Sequence, residues 1–282
     1  MAPARIAILF SGGLDCSVLA RLLDDVLPTG EAVDLINVAF ENPRVHRLAR
    51  DNPYEACPDR ITGRASFGEL AKVCITRPWR FLAVNIPYHE TQQHRPKIAE
   101  LMHPHNTEMD LSIASALYFA ARGRGMIDRG LEGDAVPYAT AARVLLSGLG
   151  ADELFAGYTR HATAFKRAGH VGLLDEIELD VGRLGQRNLG RDDRVISHWG
   201  KEARFPFLDE DLVAWAVAAP LMDKCDFGAT PVEQERLSQD ESQGLEPGKK
   251  VLRCLAWKLG LKGAAAEKKR AVSFLSSLRH LL

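Results

Sequence analysis

An apolar run from Ile6 to Phe10 stops at Ser11-Gly12-Gly13 and gives way at once to helical spacing. This junction limits the possible folds more than any other stretch of the chain. A short continuous apolar run reads as a strand buried on both faces. From Asp15 to Leu27, the residues Val18, Leu19, Leu22, Leu23 and Val26 fall on one helical stripe, ended by Pro28 and Gly30. The unit is strand, glycine turn, helix, and it recurs: Arg143 to Leu146 reads as a strand, Ser147-Gly148-Leu149-Gly150 as a turn, and a helix begins around Asp152. Between the two units, Val33 to Phe40 and Arg80 to Ile86 read as further strands and Asp110 to Arg122 as a helix. Gly123 to Tyr138, rich in glycine and charge, reads as a surface connection. Strands alternating with helices across residues 5–165 predict an α/β fold with a doubly wound parallel sheet, whose ligand site lies at the carboxyl ends of the strands. From Leu173 onward only helical patterns occur, at Leu174 to Leu184, Asp209 to Ala218, Lys250 to Leu259 and Ser273 to Leu282. They predict an all-helical part packed on the sheet, giving a division into 1–172 and 173–282.

Composition narrows the function classes. The chain has 282 residues, 46% hydrophobic and 26% charged, which fits a folded globular protein and excludes a disordered or fibrous one. Thirty-six Lys and Arg against 37 Asp and Glu leave a net charge of −1, so there is no broad electrostatic case for a nucleic-acid or membrane-surface partner. The five cysteines (Cys16, Cys57, Cys74, Cys225 and Cys254) are scattered and form no CxxC pair, which argues against a disulfide framework and against a zinc site. The opening residues are too short for a secretory leader, and no apolar run approaches the roughly 18 residues that would span a bilayer. A cytoplasmic address is expected. His103 and His105 flank Pro104 without a third ligand and receive no role, and the four tryptophans are too scattered for a base-stacking platform.

Chemistry concentrates in the two turns. Ser11-Gly12-Gly13-Leu14-Asp15-Cys16-Ser17 aims backbone N–H groups and a helix N-terminus at one place, and its glycines let an anion approach the main chain. Asp15 beside that cradle suits Mg²⁺ held against a di- or triphosphate. In the second turn, Asp152 belongs at the same sheet edge, where it and Asp15 could share the metal. Alone, each turn also reads as a glycine turn with an acidic helix start; their co-occurrence favours the ligand reading. No GxGxxG follows the first strand and no Walker A sequence is present. Gly244 to Lys250, GLEPGKK, reads as a loop and helix start. It leaves equally open a solvated basic turn and a phosphate contact by Lys249 or Lys250.

These motifs carry a resemblance. Ser11 to Ser17 resembles the SGGxDS pyrophosphate loop (PP-loop) of the N-type ATP pyrophosphatases, within the adenine nucleotide alpha hydrolase-like fold. Ser147 to Tyr158, SGLGADELFAGY, resembles the SGxGADExFxGY stretch of asparagine synthetases, and Arg204 to Asp209, RFPFLD, resembles their RxPFLD element. Asn188 to Arg194, Gly200 to Arg204 and Cys57 to Arg60 are similar to a divergent branch of that family. The resemblance implies an ATP- and Mg²⁺-dependent ligase. Such an enzyme adenylates the side-chain carboxylate of aspartate, releases pyrophosphate and transfers ammonia to give asparagine. Position by position, it implies that Ser11, Gly12, Gly13 and Ser17 hold pyrophosphate, that Asp15 and Asp152 bind Mg²⁺, and that Gly148 and Gly150 lie against nucleotide or substrate. It implies catalytic roles for Asp152 and for Lys269, the latter against the developing phosphate charge. On this reading residues 1–172 are an ATP pyrophosphatase-like nucleotide-binding part and 173–282 complete the cleft.

The chain also departs from the family pattern. Leu149 stands where asparagine synthetases proper carry Glu, and losing a general acid or base typically costs about 10²- to 10⁴-fold. Cys16 replaces the usual serine with a weaker donor, with Ser17 adjacent. After Lys269, Ser273 to Ser276 lacks the family's glycine. The chain begins Met1-Ala2-Pro3, without the N-terminal glutaminase domain of glutamine-using enzymes, so ammonia is expected from solution, from a separate subunit or from a missing part of a longer protein. Two further readings stay open at this point. One is a catalytically impaired pseudo-synthetase that binds ATP and acts through protein partners. The other is a PP-loop enzyme that modifies tRNA, against which near-neutral charge and the lack of CxxC pairs count.

Overall fold

The computed structural model describes residues 2–43, 52–128, 135–228 and 245–268. Seven strands form one sheet: β1 (Ile6–Leu9), β2 (Val33–Phe40), β3 (Trp79–Ile86), β4 (Arg124–Asp128), β5 (Ala135–Ala139), β6 (Val144–Leu146) and β7 (Glu202–Arg204). Their spatial order is β5-β4-β3-β2-β1-β6-β7. The run β3-β2-β1-β6-β7 is parallel throughout, whereas β4 and β5 pair antiparallel with their neighbours. The fold is α/β with a mostly parallel sheet, in agreement with the expectation at that level.

The eight-residue strands β2 and β3 are buried along nearly their whole length because both faces are covered. Successive side chains divide between the faces. Ile8, Leu35, Phe81 and Ala83 pack with α1 (Leu14–Val26), with Leu70 of α2 (Pro58–Val73), and with Leu252 and Ala256 of α10 (Lys250–Lys258). Ala7, Ile36, Leu82 and Val84 face the other way. They meet Ile98 of α3 (Tyr88–Met102), Phe119 of α4 (Glu108–Arg122) and Val195 of α7 (Gly190–Ser197). The chain winds outward from β1 to β3, then returns to place β6 on the opposite side of β1. The order reverses between β1 and β6, and such a switch point opens a crevice beyond the carboxyl ends of the two strands.

Beyond β6 lie α5 (Ala151–Leu154) and α6 (Thr159–Leu184), the latter broken at Ala168 and Gly169. A π-helical turn, Gly185–Leu189, leads into α7. The short α8 (Glu210–Ala218), α9 (Leu221–Lys224) and α11 (Lys262–Ala266), with a 3-10 turn at Pro206–Leu208, complete the described elements. Asp209 caps α8, its carboxylate accepting from the Asp211 and Leu212 amides, which fits the helix expected there.

Two expectations are corrected. Residues 123–138 are not merely a surface connection, because they contain β4 and the start of the β4/β5 hairpin. These strands are short and half-exposed, with β5 at the edge of the sheet, so they carry no continuous apolar run. Nor is the chain beyond Leu173 all-helical: β7 pairs with β6, Val144 opposite Glu202 and Leu146 opposite Arg204. Only Ala203 of its three residues is buried, too little to show a strand period. The helix expected at Ser273 to Leu282 lies outside the described residues. Among the described residues no helix is long and apolar enough to cross a membrane.

Candidate functional site

The two glycine turns leave neighbouring parallel strands, since Ile8 of β1 is opposite Leu146 of β6. They therefore emerge side by side at the switch point. Gly12 has φ +84°, and a β-carbon there would stand 2.6 Å from the backbone of Thr62 and Gly63 in α2. Only glycine lets the loop and the helix approach so closely. The Ser66 hydroxyl donates to the Gly12 carbonyl at 2.6 Å. Beneath them, Asn37 Nδ2 donates to the Phe10 carbonyl at 2.9 Å, and a β-carbon on Gly63 would meet that same amide nitrogen at 2.5 Å. The Asn37 side chain is held in turn by the fully buried Arg60, whose Nε donates to Asn37 Oδ1 at 2.7 Å. The Arg60 guanidinium also reaches Glu55 and Asn85. Strand β2 and helix α2 thus fix the shape of the first loop through buried polar contacts.

Within that loop, Ser11 is exposed and its Oγ accepts from the Gly13 amide at 3.4 Å. Gly13 precedes α1 as its N-cap with extended φ and ψ, and no side chain caps the helix start. Ser17 is buried and its hydroxyl is directed inward to the Gly12 carbonyl at 3.5 Å, so it braces the loop from within. Cys16 is buried as well, donating to the Gly13 carbonyl, and burial pushes its thiol pKa up. It behaves as a neutral packing group.

In the second turn, Gly148 lies against the first: its β-carbon would stand 2.9 Å from Asp15 Cβ. Gly150 has φ +102° and would clash with Leu208 at 2.4 Å, which gives the RFPFLD element a packing role beneath this turn. Leu149 is half-buried, and its amide donates to Ser147 Oγ at 3.3 Å.

Asp15 and Asp152 come together, as the motifs lead one to expect, but the group between them was left open by the sequence. Lys249 Nζ stands 2.8 and 2.7 Å from the two carboxylate oxygens of Asp15 and 2.8 Å from Asp152 Oδ1. Lys249 is 6% exposed. Burial pulls its pKa down, but the charges of Asp15 and Asp152 and their hydrogen bonds outweigh that and leave it raised, so the ammonium form is held. The solvated-turn reading of Lys249 is thereby corrected. Lys249 precedes α10 with φ +56°, and its amide donates to the Phe155 carbonyl at 2.8 Å. Ala156, one residue on from Phe155, also has φ +56°. Among the described residues these are the two non-glycine positions of left-handed backbone. Such positions cost about 1–3 kcal/mol each and gather at functional sites.

Glu153 is buried behind Asp152, and burial raises its pKa. Its Oε1 accepts from the Tyr158 hydroxyl at 2.6 Å and from Asn188 Nδ2 at 3.2 Å. His161 fixes the end of this segment: its Nδ1 accepts from the Tyr158 amide at 3.2 Å, so its Nε2 carries the proton donated to Asp180 at 2.9 Å. Burial keeps that imidazole neutral at ordinary pH by lowering its pKa. Lys269 lies outside the described residues. Sequence reasoning met Gly157 and Arg60 only within motifs and gave them no role, passed over Asn37, and left Lys249 undecided.

The convergence of Asp15 and Asp152 on one ammonium is an observation that bears on a metal. Mg²⁺ is commonly held by one or two carboxylates together with substrate phosphates and waters. Among the described residues no cluster of three or more His, Cys, Asp or Glu could hold a metal by itself. The donor set therefore fits an ion shared with a phosphate ligand.

Fold and site together define an α/β protein in which Asp15, Asp152 and Lys249 converge at the switch point of its sheet. The chain belongs to the asparagine synthetase domain family. The asparagine synthase family model matches residues 136–180 and 166–255. Asparagine synthetase domain-containing protein 1 of Gallus gallus is 38% identical over 309 residues, covering 99% of this chain and 46% of that protein. Its Mus musculus counterpart is 40% identical over 306 residues, again 99% of this chain and 46% of the relative. A putative glutamine-hydrolyzing asparagine synthetase 1 of Methanocaldococcus jannaschii is 46% identical over 79 residues, 28% of this chain and 15% of that protein. The chain thus spans about half the length of the domain-containing relatives it matches.

Proposed function

We propose that the chain is an ATP-dependent amide-forming ligase of the asparagine synthetase type, with a PP-loop nucleotide-binding part in residues 1–172 and a cleft completed by 173–282. The observation that carries this reading is the meeting of Asp15 and Asp152 at the switch point, beside the open N-terminus of α1. Ser11, Gly12 and Gly13 then receive the pyrophosphate portion of ATP, with Ser17 bracing their loop. Gly148 and Gly150 allow the second turn to lie close to nucleotide or substrate. Asp15 and Asp152 would hold Mg²⁺, which when bound supplies positive charge to the triphosphate.

In the first step an oxygen of the aspartate side-chain carboxylate attacks the α-phosphorus of ATP, the bond to the β-phosphate oxygen breaks, and pyrophosphate leaves. In the second the nitrogen lone pair of ammonia attacks the acyl carbon, AMP departs with the bridging oxygen, and a proton is lost from nitrogen. Lys249 offers a cation where negative charge builds on the phosphates, a use of preorganised charge that lowers the barrier; Lys269 is assigned the same task. Ammonia would come from solution or from an amidohydrolase elsewhere.

Purified chain with Mg²⁺, ATP, aspartate and ammonium should form AMP, pyrophosphate and asparagine in equal amounts. Absence of aspartate-dependent AMP would remove the ligase reading. Leu149 favours a second reading, a pseudo-synthetase that binds ATP and acts through partners, because this side chain can move no proton. ATP binding without AMP formation is the outcome that selects it.

A further inference from the structure

We infer that Lys249 is an exchangeable counter-ion: its ammonium occupies the divalent-cation place between Asp15 and Asp152 and is expelled when metal enters. The inference rests on the proposed reading of these two aspartates as metal ligands, and goes beyond it by giving the ligand-free site a resident cation.

Three observations carry it. First, Nζ touches three carboxylate oxygens from two residues at 2.7–2.8 Å, which is full use of the three donors of an ammonium. Those oxygens are the ones a metal would need. A divalent ion and an ammonium at hydrogen-bond distance from the same oxygens repel strongly, so the two do not share the place. Second, the backbone of Lys249 is pinned, and its hold on the two carboxylates is made by the end of the side chain alone. The Lys249 amide is tied to the Phe155 carbonyl at 2.8 Å, and the stem passes over Gly157, where a β-carbon would lie 2.2 Å from Cε. Only a glycine at this position admits the stem so close to the Asp152 carboxylate. Third, the arrangement is poorly suited to a purely structural bridge. A lysine at the head of α10 opposes the helix dipole, and its backbone is left-handed. Leaving two adjacent carboxylates without a cation would be costly, and the lysine removes that cost until metal and phosphate arrive.

The consequence is competition. Metal alone must eject the ammonium without giving it a new partner, whereas metal with ATP supplies phosphate oxygens to receive it. Mn²⁺ titrations of the full chain, followed by electron paramagnetic resonance without nucleotide, compare wild type with Lys249→Met. The variant should bind Mn²⁺ at least tenfold more tightly, and adding ATP should shrink that ratio. Equal or weaker Mn²⁺ binding by a folded Lys249→Met chain overturns the inference. A second measurement needs no variant: acylation of wild-type Lys249, read by mass spectrometry, should be slow in the free chain and rise when Mn²⁺ saturates it. An unchanged rate at saturation overturns the exchange. If neither chain binds Mn²⁺ even with ATP, the metal reading falls together with the exchange. If wild type binds Mn²⁺ with ATP but the variant shows no gain without it, the exchange alone falls.

Discussion

Gly157 lies directly against the carboxylate of Asp152: a β-carbon built on it would stand 2.0 Å from Oδ1. The Gly157 amide donates to the Asp152 backbone carbonyl at 2.8 Å, so the turn cannot simply move away. Gly157→Ala should displace the Asp152 side chain and separate it from Lys249 while the sheet stays intact. Affinity for Mg²⁺ with ATP should fall at least tenfold, about 1.4 kcal/mol. Calorimetry with circular dichroism as the fold control checks this, and unchanged affinity would mean that Asp152 does not serve the ligand from this position.

Arg60 acts on the first loop from a distance. It is fully buried, and its guanidinium satisfies the side-chain oxygens of Asn37 and Asn85 as well as pairing with Glu55. Arg60→Met should strand the amide acceptors and lower stability by about 1–3 kcal/mol for each one left buried without a partner. Arg60→Lys should recover little of it, because one ammonium cannot reproduce a planar fork that serves several acceptors. Urea unfolding provides the comparison. Near-equal midpoints for wild type and Arg60→Met would show that the network does not support the loop.

What could be read from the amino-acid order, and what could not, divides along the range of the interactions. The Ser11 to Ser17 turn is legible because a buried strand, two glycines and an amphipathic helix occur in immediate succession, each signal local. The same holds for Ser147 to Asp152, and two such turns on parallel strands bring Asp15 and Asp152 to one edge. Lys249 is different. Its partners are distant in the chain, and its burial depends on the head of α10 docking beneath Phe155. A clue existed in two consecutive lysines opening a helix, against the dipole preference. Arg60 stands in the Cys57 to Arg60 motif, but nothing there announced its bracing role, since a single arginine in a helical turn ordinarily faces solvent. The β4/β5 hairpin escaped because these short, half-exposed strands lack a strong alternation of apolar and polar residues, and β7 because three residues are too few to show one.

Asp192 predicts a pH dependence of stability. Burial raises its carboxyl to about 6, against the opposing pull of Arg191 and His105 and with help from the charge of Asp110. A carboxyl raised on folding binds its proton more tightly in the native state, so unfolding stability falls as pH rises from about 4 through 6. Asp192→Asn removes this ionisation. The stability of wild type relative to the variant should therefore decline across that interval and level off above it. Thermal unfolding at half-unit steps of pH measures the difference, and a relative stability that instead grew with pH would contradict the buried, proton-retaining carboxyl.

The final prediction concerns Leu149. Its amide supports the second turn by donating to Ser147 Oγ, a backbone contact that any residue at this position can make. Its side chain is half-buried beside Gly148, which itself rests on Asp15. Leu149→Glu should leave the turn intact and introduce a titratable group next to the proposed reaction centre. If loss of an acid or base limits the ligase reaction, aspartate-dependent AMP formation should rise about 10²-fold or more, with a new pH limb set by the introduced carboxylate. A rise in AMP without asparagine would place the restored step at adenylation and leave ammonia attack limiting. No rise in either product, with ATP affinity unchanged, would mean that the defect lies elsewhere and would favour the partner-directed pseudo-synthetase.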